Sequence, residues 1–262
     1  MVEDDSDSVV TINWSTSYGL YGAFELKGGP LGCFICFVSE PPSPRPRVRS
    51  SLLVSKRQID LTRVRRWLST CIDHHGMDCS ASLDPNSPPN SAIAELDTLR
   101  VIDVVDGCVI ERRFPCRYLA LSYVWGGVPN FRLTTNNKYA LTQAGVLRKI
   151  WPRLPRTIRD AIKLVEGLHE RYLWIDALCL VQNDPDDMQN GIGVMDLIYE
   201  RAIMTIVAAC CDHADHGLPG ITEARRFPTQ RVEQIRPGIK LGIHSEVDQL
   251  LWHSTYYRRA WT

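Results

Sequence analysis

The sequence predicts an α/β fold built on a parallel sheet, and three observations indicate it. Between residues 118 and 209, strand-like and helix-like segments alternate in the order βαβαβ, which is typical of parallel strands joined by right-handed helical crossovers. The apolar run at 172–175 stops abruptly at a group of polar residues. Polar residues and glycines likewise follow the runs at 118–124 and 203–209. Because ligands bind at the carboxyl ends of parallel strands, we expect the site at this edge of the sheet.

The N-terminal part is predicted to form a small β-rich unit, a connector and one helix. Short runs of β-branched and aromatic residues at 9–38, broken by glycines, are typical of an antiparallel meander. The proline-rich stretch 41–46 cannot be helical and marks a boundary. Apolar residues recur at helical spacing over 60–75, where Asp60 is placed to cap the helix. Residues 80–90, rich in proline, serine and asparagine, predict a loop.

Further strands and helices are predicted along the rest of the chain. Strands are predicted at 99–105, 108–111, 118–124, 171–176 and 203–209. Helices are predicted at 157–168 and 187–201. We therefore divide the chain into three parts. They are an N-terminal β-rich segment with its linker (1–46), a helical and β lead-in region (47–117) and a main domain (118–262).

The composition predicts a globular protein of the cytoplasm. Thirty basic residues balance thirty acidic ones, so no net charge attracts nucleic acid or an anionic membrane. The acidic N-terminus lacks the pattern of a secretory signal, and the longest apolar run is too short to span a bilayer. Nine scattered cysteines, an odd number, fit free thiols in a reducing compartment. We expect neither nucleic acid nor a membrane as a partner.

The candidate site residues follow two of the predicted parallel strands. As a nucleotide-binding edge we predict Ser122, Tyr123, Trp125, Gly126, Asp176, Cys179 and Gln182. Asp176 could hydrogen-bond a ribose or brace the loops by accepting N–H groups, and bracing is favoured. Trp125 could stack on a base or fill space, while Cys179 is favoured as a small buried hydrophobe. No catalytic residue is assigned, since Ser122 lacks the Gly-x-Ser-x-Gly elbow.

Two groups have the composition of metal sites, but the sequence favours other roles for both. The first group is Cys71, His74, His75 and Cys79. Its spacing is not that of a standard zinc finger, and its first cysteine belongs to the apolar stripe of a predicted helix. The second group lies at 212–216, in a polar loop where Asp and His side chains are ordinarily solvated. We therefore predict no metal site.

Six segments carry motifs in a recognisable order and spacing. They are YLALSYVWG at 118–126, LPRTIRDA at 154–161, YLWIDALCLVQ at 172–182, residues 195–209, GLPG at 217–220 and RAWT at 259–262. Together they resemble the fungal heterokaryon incompatibility (HET) domain, which is in turn similar to Toll/interleukin-receptor (TIR) domains. The resemblance implies a flavodoxin-like, TIR-like αβα domain of three layers with a mainly parallel sheet, preceded here by the β-meander and helix.

The resemblance implies a function in fungal self/non-self recognition. Proteins of this family act in regulated cell death after incompatible cell fusion. The implied role is therefore allorecognition and cell-death signalling through a TIR-like interaction domain. The implied partners are a second copy of the chain or other incompatibility proteins, and no bound cofactor is expected.

Two alternatives stay open beside that role. TIR enzymes cleave NAD with a glutamate that follows a tryptophan motif, since a carboxylate supports the oxocarbenium-like state. Full HET domains commonly continue Trp-Thr-x-Gln-Glu, whereas this chain ends at Thr262. We therefore expect a C-terminally truncated domain. The first alternative is an NAD glycohydrolase of TIR type, with NAD as its substrate, and we expect this chain to be inactive because the catalytic glutamate is missing from it. The other alternative is a non-functional truncated remnant.

Overall fold

A computed structural model describes most of the chain between residues 57 and 258. The described residues with side chains are 57–74, 97–222, 231–243, 251 and 254–258. Only the backbone is described for the strands at 11–15, 23–27, 33–39 and 51–52, and for the end of the strand at 239–245. Predictions that lie outside the described residues concern the connector 41–46, the loop 80–90, the RAWT motif at 259–262, His75 and Cys79. Among the described residues, no helix has the length and apolar character needed to cross a membrane.

A five-stranded sheet forms the centre of the fold. Its strands are β5 (Thr98–Asp103), β6 (Cys108–Arg113), β7 (Leu119–Ser122), β8 (Tyr172–Trp174) and β9 (Met204–Val207). They lie in the order β6–β5–β8–β7–β9. β7 pairs in parallel with β8 on one side and β9 on the other, which confirms the three predicted parallel strands.

The remaining pairings of this sheet are antiparallel. β5 pairs antiparallel with both β6 and β8, with Ile102 opposite Leu173. The prediction of a mainly parallel sheet is therefore wrong, because the β5–β6 hairpin, which precedes the βαβαβ unit in sequence, joins the free edge of β8. The sheet is therefore mixed. If its three parallel strands β7, β8 and β9 are numbered 1, 2 and 3 along the chain, they lie side by side in the order 2-1-3.

Short helices connect the strands of this sheet. They are α2 (Lys138–Leu141), α3 (Val146–Lys149), a 3-10 turn (Trp151–Arg153), α4 (Arg156–Gly167), α5 (Asp176–Cys179), α6 (Pro185–Gly193) and α7 (Met195–Glu200). α4 confirms the helix predicted at 157–168. The helix predicted at 187–201 is instead two helices, because glycines at 191 and 193 weaken helix propensity just before the break at Val194.

The hydrophobic core lies between the sheet and these helices. All four residues of β7 are buried, as expected for a strand covered on both faces. The predicted apolar face of α4 is confirmed by the burial of Ile158, Ala161, Ile162, Val165 and Leu168. Trp174 on β8 is fully buried, and the edge of its ring system lies against Tyr199, with 5.4 Å between ring centroids. The side chain of Trp174 therefore packs within the core.

Helix α1 (Leu61–His74) rests on the outside of this core by its first turns. The backbone N–H of Arg63 donates to the Asp60 carboxylate at 3.1 Å, which confirms the predicted cap. Leu61 lies so close to Gly167 that a Cβ there would be 2.5 Å from Leu61 Cδ1. Trp67, by contrast, is 56% exposed, so the predicted apolar stripe is only partly covered by described residues.

A second sheet combines strands from both ends of the chain. Its strands are β1 (Thr11–Ser15), β2 (Ala23–Lys27), β3 (Cys33–Ser39), β4 (Ser51–Leu52), β10 (Val232–Arg236) and β11 (Ile239–Ser245). The antiparallel pairing of β1, β2 and β3 confirms the predicted meander. β11 then pairs antiparallel with β3, with Ile243 opposite Ile35. The β10–β11 hairpin was not predicted, because its mostly exposed residues carry little hydrophobic pattern.

Candidate functional site

The carboxyl ends of β7, β8 and β9 meet at one edge of the sheet, as the parallel pairing requires. The backbone N–H of Ala208, just past β9, donates to the carbonyl of Ser122 at 2.9 Å. The N–H of Ala214 donates to the carbonyl of Trp125 at 3.0 Å. The segments that follow β7, β8 and β9 are therefore joined into one surface, which we call the strand-end surface: residues 122–127, 176–183 and 208–217.

Trp125 and Asp176 connect two of these segments directly. The indole Nε1–H of Trp125 donates to Asp176 Oδ2 at 3.0 Å, and Oδ1 of the same carboxylate accepts from the N–H of Ala177 at 2.7 Å. The guanidinium of Arg132 lies over the ring face of Trp125, 4.7 Å from the ring centroid, and forms a cation–π contact. These contacts are those of a carboxylate that braces the loops, the alternative that the sequence favoured for Asp176.

Gln182 and Asn183 extend this bracing to the loop at 131–137. Gln182 Nε2 donates to the carbonyls of Asp176 and Leu180, each at 3.0 Å. The backbone N–H of Gln182 donates to the carbonyl of Leu133 at 2.9 Å. Asn183 Oδ1 accepts from the N–H of Thr135 at 2.8 Å. The amide of Gln182, which was predicted to lie at a nucleotide-binding edge, thus holds the backbone of the strand-end surface in place, and the amide of Asn183 does the same.

The two residues at the end of β7 are both shielded. Ser122 Oγ accepts a hydrogen bond from the hydroxyl of Tyr256 at 3.0 Å, so the segment 254–258 lies over this serine. Tyr123 is buried, and its hydroxyl accepts from Asn130 Nδ2 at 3.2 Å. Burial raises the pKa of Tyr123 well above its usual value, and the nearby negative charge of Asp176 raises it further. The hydroxyl of Tyr123 is therefore neutral, and both hydroxyls are engaged in hydrogen bonds within the protein.

Gly126 is required by close packing and by its backbone conformation. Its φ is +65°, in the left-handed region that favours glycine. A Cβ at this position would lie 2.5 Å from His213 Cβ and 2.9 Å from the carbonyl oxygen of Asp212. The adjacent Gly127 has open space around it. Gly126 therefore serves the close approach of the 208–217 segment.

Cys179 faces the interior. Its side chain is 1% exposed, and Sγ accepts a weak hydrogen bond from the N–H of Ile175 at 3.4 Å. Burial raises the pKa of the Cys179 thiol to about 12, so the thiol is neutral at physiological pH. These contacts agree with the small buried hydrophobe that the sequence favoured for this position.

A cavity that sequence reasoning missed opens beside the strand-end surface. It has a volume of about 680 Å³ and lies between β5, β6 and helices α6 and α7. Residues that line it include Arg100, Glu111, Trp174, Leu180, Asp187 and Asn190. Its size is within the range of small-molecule sites, which is about 300–1,000 Å³.

An ion pair between β5 and α6 forms one wall of this cavity. Arg100 donates to both carboxylate oxygens of Asp187, at 3.1 and 2.9 Å, and also to the carbonyl of Cys179 at 2.7 Å. Burial alone would raise the pKa of Asp187, but hydrogen bonds from Arg100 and from the N–H of Val181 outweigh it and hold that pKa below its usual value. Since the two residues are 87 positions apart, no local sequence signal links them.

The segment after β9 brings together the residues at 212–216. Donor atoms of Asp212, His213 and His216 all lie within 4.8 Å of one another. The sequence did show this group but favoured solvated side chains. Just before it, the Sγ atoms of Cys210 and Cys211 are 3.6 Å apart, and Cys211 donates to the carbonyl of Gly217 at 3.1 Å.

Fold and site together define a mixed α/β domain whose loops are braced at the carboxyl ends of three parallel strands. The family model described as "Heterokaryon incompatibility protein (HET)" matches residues 118–262, which is more than half of the chain. The chain therefore belongs to the heterokaryon incompatibility family. Searches of curated proteins and of solved structures each found no match.

Proposed function

We propose that this protein acts in fungal allorecognition, as a component of regulated cell-death signalling, through a TIR-like interaction domain at residues 118–262. Membership of the heterokaryon incompatibility family is the observation that carries the proposal. The order 2-1-3 of the three parallel strands also supports it, since flavodoxin-like sheets begin with the same order.

The bracing of the strand-end surface favours an interaction role over a catalytic one. Asp176 holds Trp125, the side-chain amide of Gln182 holds two carbonyls, and Tyr256 lies over Ser122. Polar groups used in this way make a surface rigid, and a rigid surface loses less conformational entropy when a partner binds. We propose a second copy of this chain or another incompatibility protein as that partner.

Inducible expression in a filamentous fungus tests the proposal. We expect expression of the chain to kill hyphal compartments, counted with a dye that enters only dead cells. Asp176→Ala should reduce the killing, because it releases Trp125 and disorders the strand-end surface. Asp186→Ala, an exposed acidic position on α6, is the matched control and should kill like the wild type. Hyphae that stay viable at full expression would contradict the proposal.

Self-association is tested separately with the purified chain. Light scattering over a range of concentrations should show a mass above that of the 29.7 kDa monomer. A mass that stays at the monomer value over the whole range would exclude the second copy as partner and leave another incompatibility protein.

The cavity beside the strand-end surface favours cleavage of NAD as a second candidate function. Its volume of about 680 Å³ is within the range of small-molecule sites. Arg100, held by Asp187 and by the carbonyl of Cys179, places a positive charge in the wall of the cavity. Incubation with NAD, followed by measurement of released nicotinamide, tests it. Arg100→Met should abolish any release, whereas Arg148→Met, at an exposed position on α3, should not. Absence of release by the wild-type chain would reject this candidate.

A further inference from the structure

We propose that Asp212, His213 and His216 bind a Zn²⁺ ion at the loop that follows β9. The three residues are the only group in the described part of the chain with three metal-ligating donor atoms within 4.8 Å of one another. Two imidazoles and one carboxylate are a ligand set that zinc accepts, with a fourth position open to water. This proposal replaces the expectation from sequence that the side chains at 212–216 are merely solvated.

The two distances from the Asp212 carboxylate to the histidine nitrogens match those around a tetrahedral ion. Asp212 Oδ1 lies 3.6 Å from His213 Nε2 and 3.4 Å from His216 Nδ1. With Zn–N and Zn–O bonds of about 2.0–2.2 Å, two ligand atoms of a tetrahedral zinc ion are about 3.3–3.6 Å apart. Ligand atoms around an octahedral Mg²⁺ ion are closer together, at about 2.9 Å. The two imidazole ligands, together with these two distances, favour zinc over magnesium, which takes oxygen ligands.

The backbone of this loop is held from both sides. The N–H of Ala214 donates to the carbonyl of Trp125 at 3.0 Å, and the N–H of Gly217 donates to Thr157 Oγ1 at 3.1 Å. The carboxylate of Asp215 accepts from the N–H of Arg156 at 2.9 Å. These bonds tie the loop to the end of β7 and to the start of α4. Less conformational entropy is therefore lost when the three side chains converge on an ion.

One hydrogen bond within the loop opposes zinc binding. His213 Nδ1 accepts from the N–H of Asp215 at 3.2 Å, which places the proton of the neutral ring on Nε2. Zinc at Nε2 displaces this proton, and the neutral ring then carries its proton on Nδ1 and loses that bond. We therefore expect exchangeable binding, weaker than in closed sites with four protein ligands.

A competition assay with a chromogenic zinc chelator tests the proposal on the full chain, with zinc alone as the probe. The wild-type chain should bind one equivalent of zinc. Asp212→Asn and His216→Gln should each weaken this binding by about 10-fold or more. Both positions are exposed, so we expect both variants to keep the cooperative melting curve of the wild type, which circular dichroism checks.

His169→Asn is the matched control for the loss of an imidazole. His169 is exposed, has a positive φ of 62° that asparagine tolerates, and lies far along the chain from 212–216. It should bind zinc like the wild type. Visible absorption of the Co²⁺ form provides a second readout, because tetrahedral Co²⁺ absorbs far more strongly than octahedral Co²⁺. The proposal is overturned if the wild type takes up no zinc, or if Asp212→Asn and His216→Gln leave zinc affinity unchanged.

Discussion

Trp125 donates its indole N–H to the carboxylate of Asp176, with 3.0 Å between Nε1 and Oδ2, and this bond joins the loops that follow β7 and β8. The two residues belong to separate motifs, YLALSYVWG and YLWIDALCLVQ, that lie 51 positions apart. Parallel pairing of β7 and β8 brings both motifs to the same edge of the sheet. The hydrogen bond is therefore a tertiary link between two motifs of the family.

Trp125→Phe should lower the free energy of unfolding by about 1–2 kcal/mol, because it removes a hydrogen bond to a charged group in a half-buried setting. Urea denaturation followed by far-UV circular dichroism measures the change. Trp67→Phe is the control at an exposed tryptophan on α1, where we expect a change below about 0.5 kcal/mol. Equal effects of the two substitutions would mean that the bond to Asp176 contributes nothing.

Gly126→Ala should destabilise the fold, whereas Gly127→Ala should not. A Cβ at 126 would meet His213 Cβ at 2.5 Å on a backbone with φ of +65°. We expect a loss of more than about 1 kcal/mol. A Cβ at 127 meets nothing within 4 Å, so its change should stay within about 0.5 kcal/mol. Thermal melting of both variants checks this, and a stable Gly126→Ala protein would show that the 208–217 segment can move away.

Asp160→Asn should be among the most damaging single substitutions on α4. Asp160 is 2% exposed, and its carboxylate accepts from the N–H of Leu218 at 2.9 Å and from the hydroxyl of Thr222. It thereby fixes the GLPG turn, and an amide can accept only one of these two bonds. We expect a loss of about 2–3 kcal/mol in urea denaturation. Asp196→Asn, exposed at the start of α7, is the control and should cost far less.

The contribution of Asp187 to stability should depend on pH. Burial would raise the pKa of Asp187, but the bonds from Arg100 and Val181 hold it below its usual value. A carboxylate whose folded pKa is lowered stabilises the fold fully above the unfolded pKa of about 3.9. This contribution is lost as the pH falls through the folded pKa. The stability difference between the wild type and Asp187→Asn should therefore be largest near neutral pH and shrink towards pH 3.

Urea denaturation of the two proteins between about pH 3 and pH 7 measures this dependence. Asp196→Asn, measured in parallel, reports the effect of losing an exposed carboxylate of the same type. A difference between the wild type and Asp187→Asn that stays constant over the whole range would show that the Arg100–Asp187 pair adds no linkage to folding.

Hydrophobic patterning predicted the parallel strands, the α4 helix and the meander, because burial of alternate or helically spaced residues is a local property of the chain. The same patterning missed the β10–β11 hairpin, whose residues are mostly exposed, and the break at Val194 within the predicted 187–201 helix. It also separated the 99–111 strands from the main sheet, since nothing in the sequence of a hairpin says which strand edge it will join.

For the site, the sequence by itself determined which polar residues stand at the ends of parallel strands, and this follows from strand direction alone. Only the tertiary structure decided what those residues do. It paired Trp125 with Asp176 and Arg100 with Asp187, over 51 and 87 positions of the chain. It also brought the exposed side chains of Asp212, His213 and His216 to within ligating distance of one another. The physical reason is that hydrogen bonds and metal ligation need atoms within a few ångströms, and packing of distant segments sets those distances.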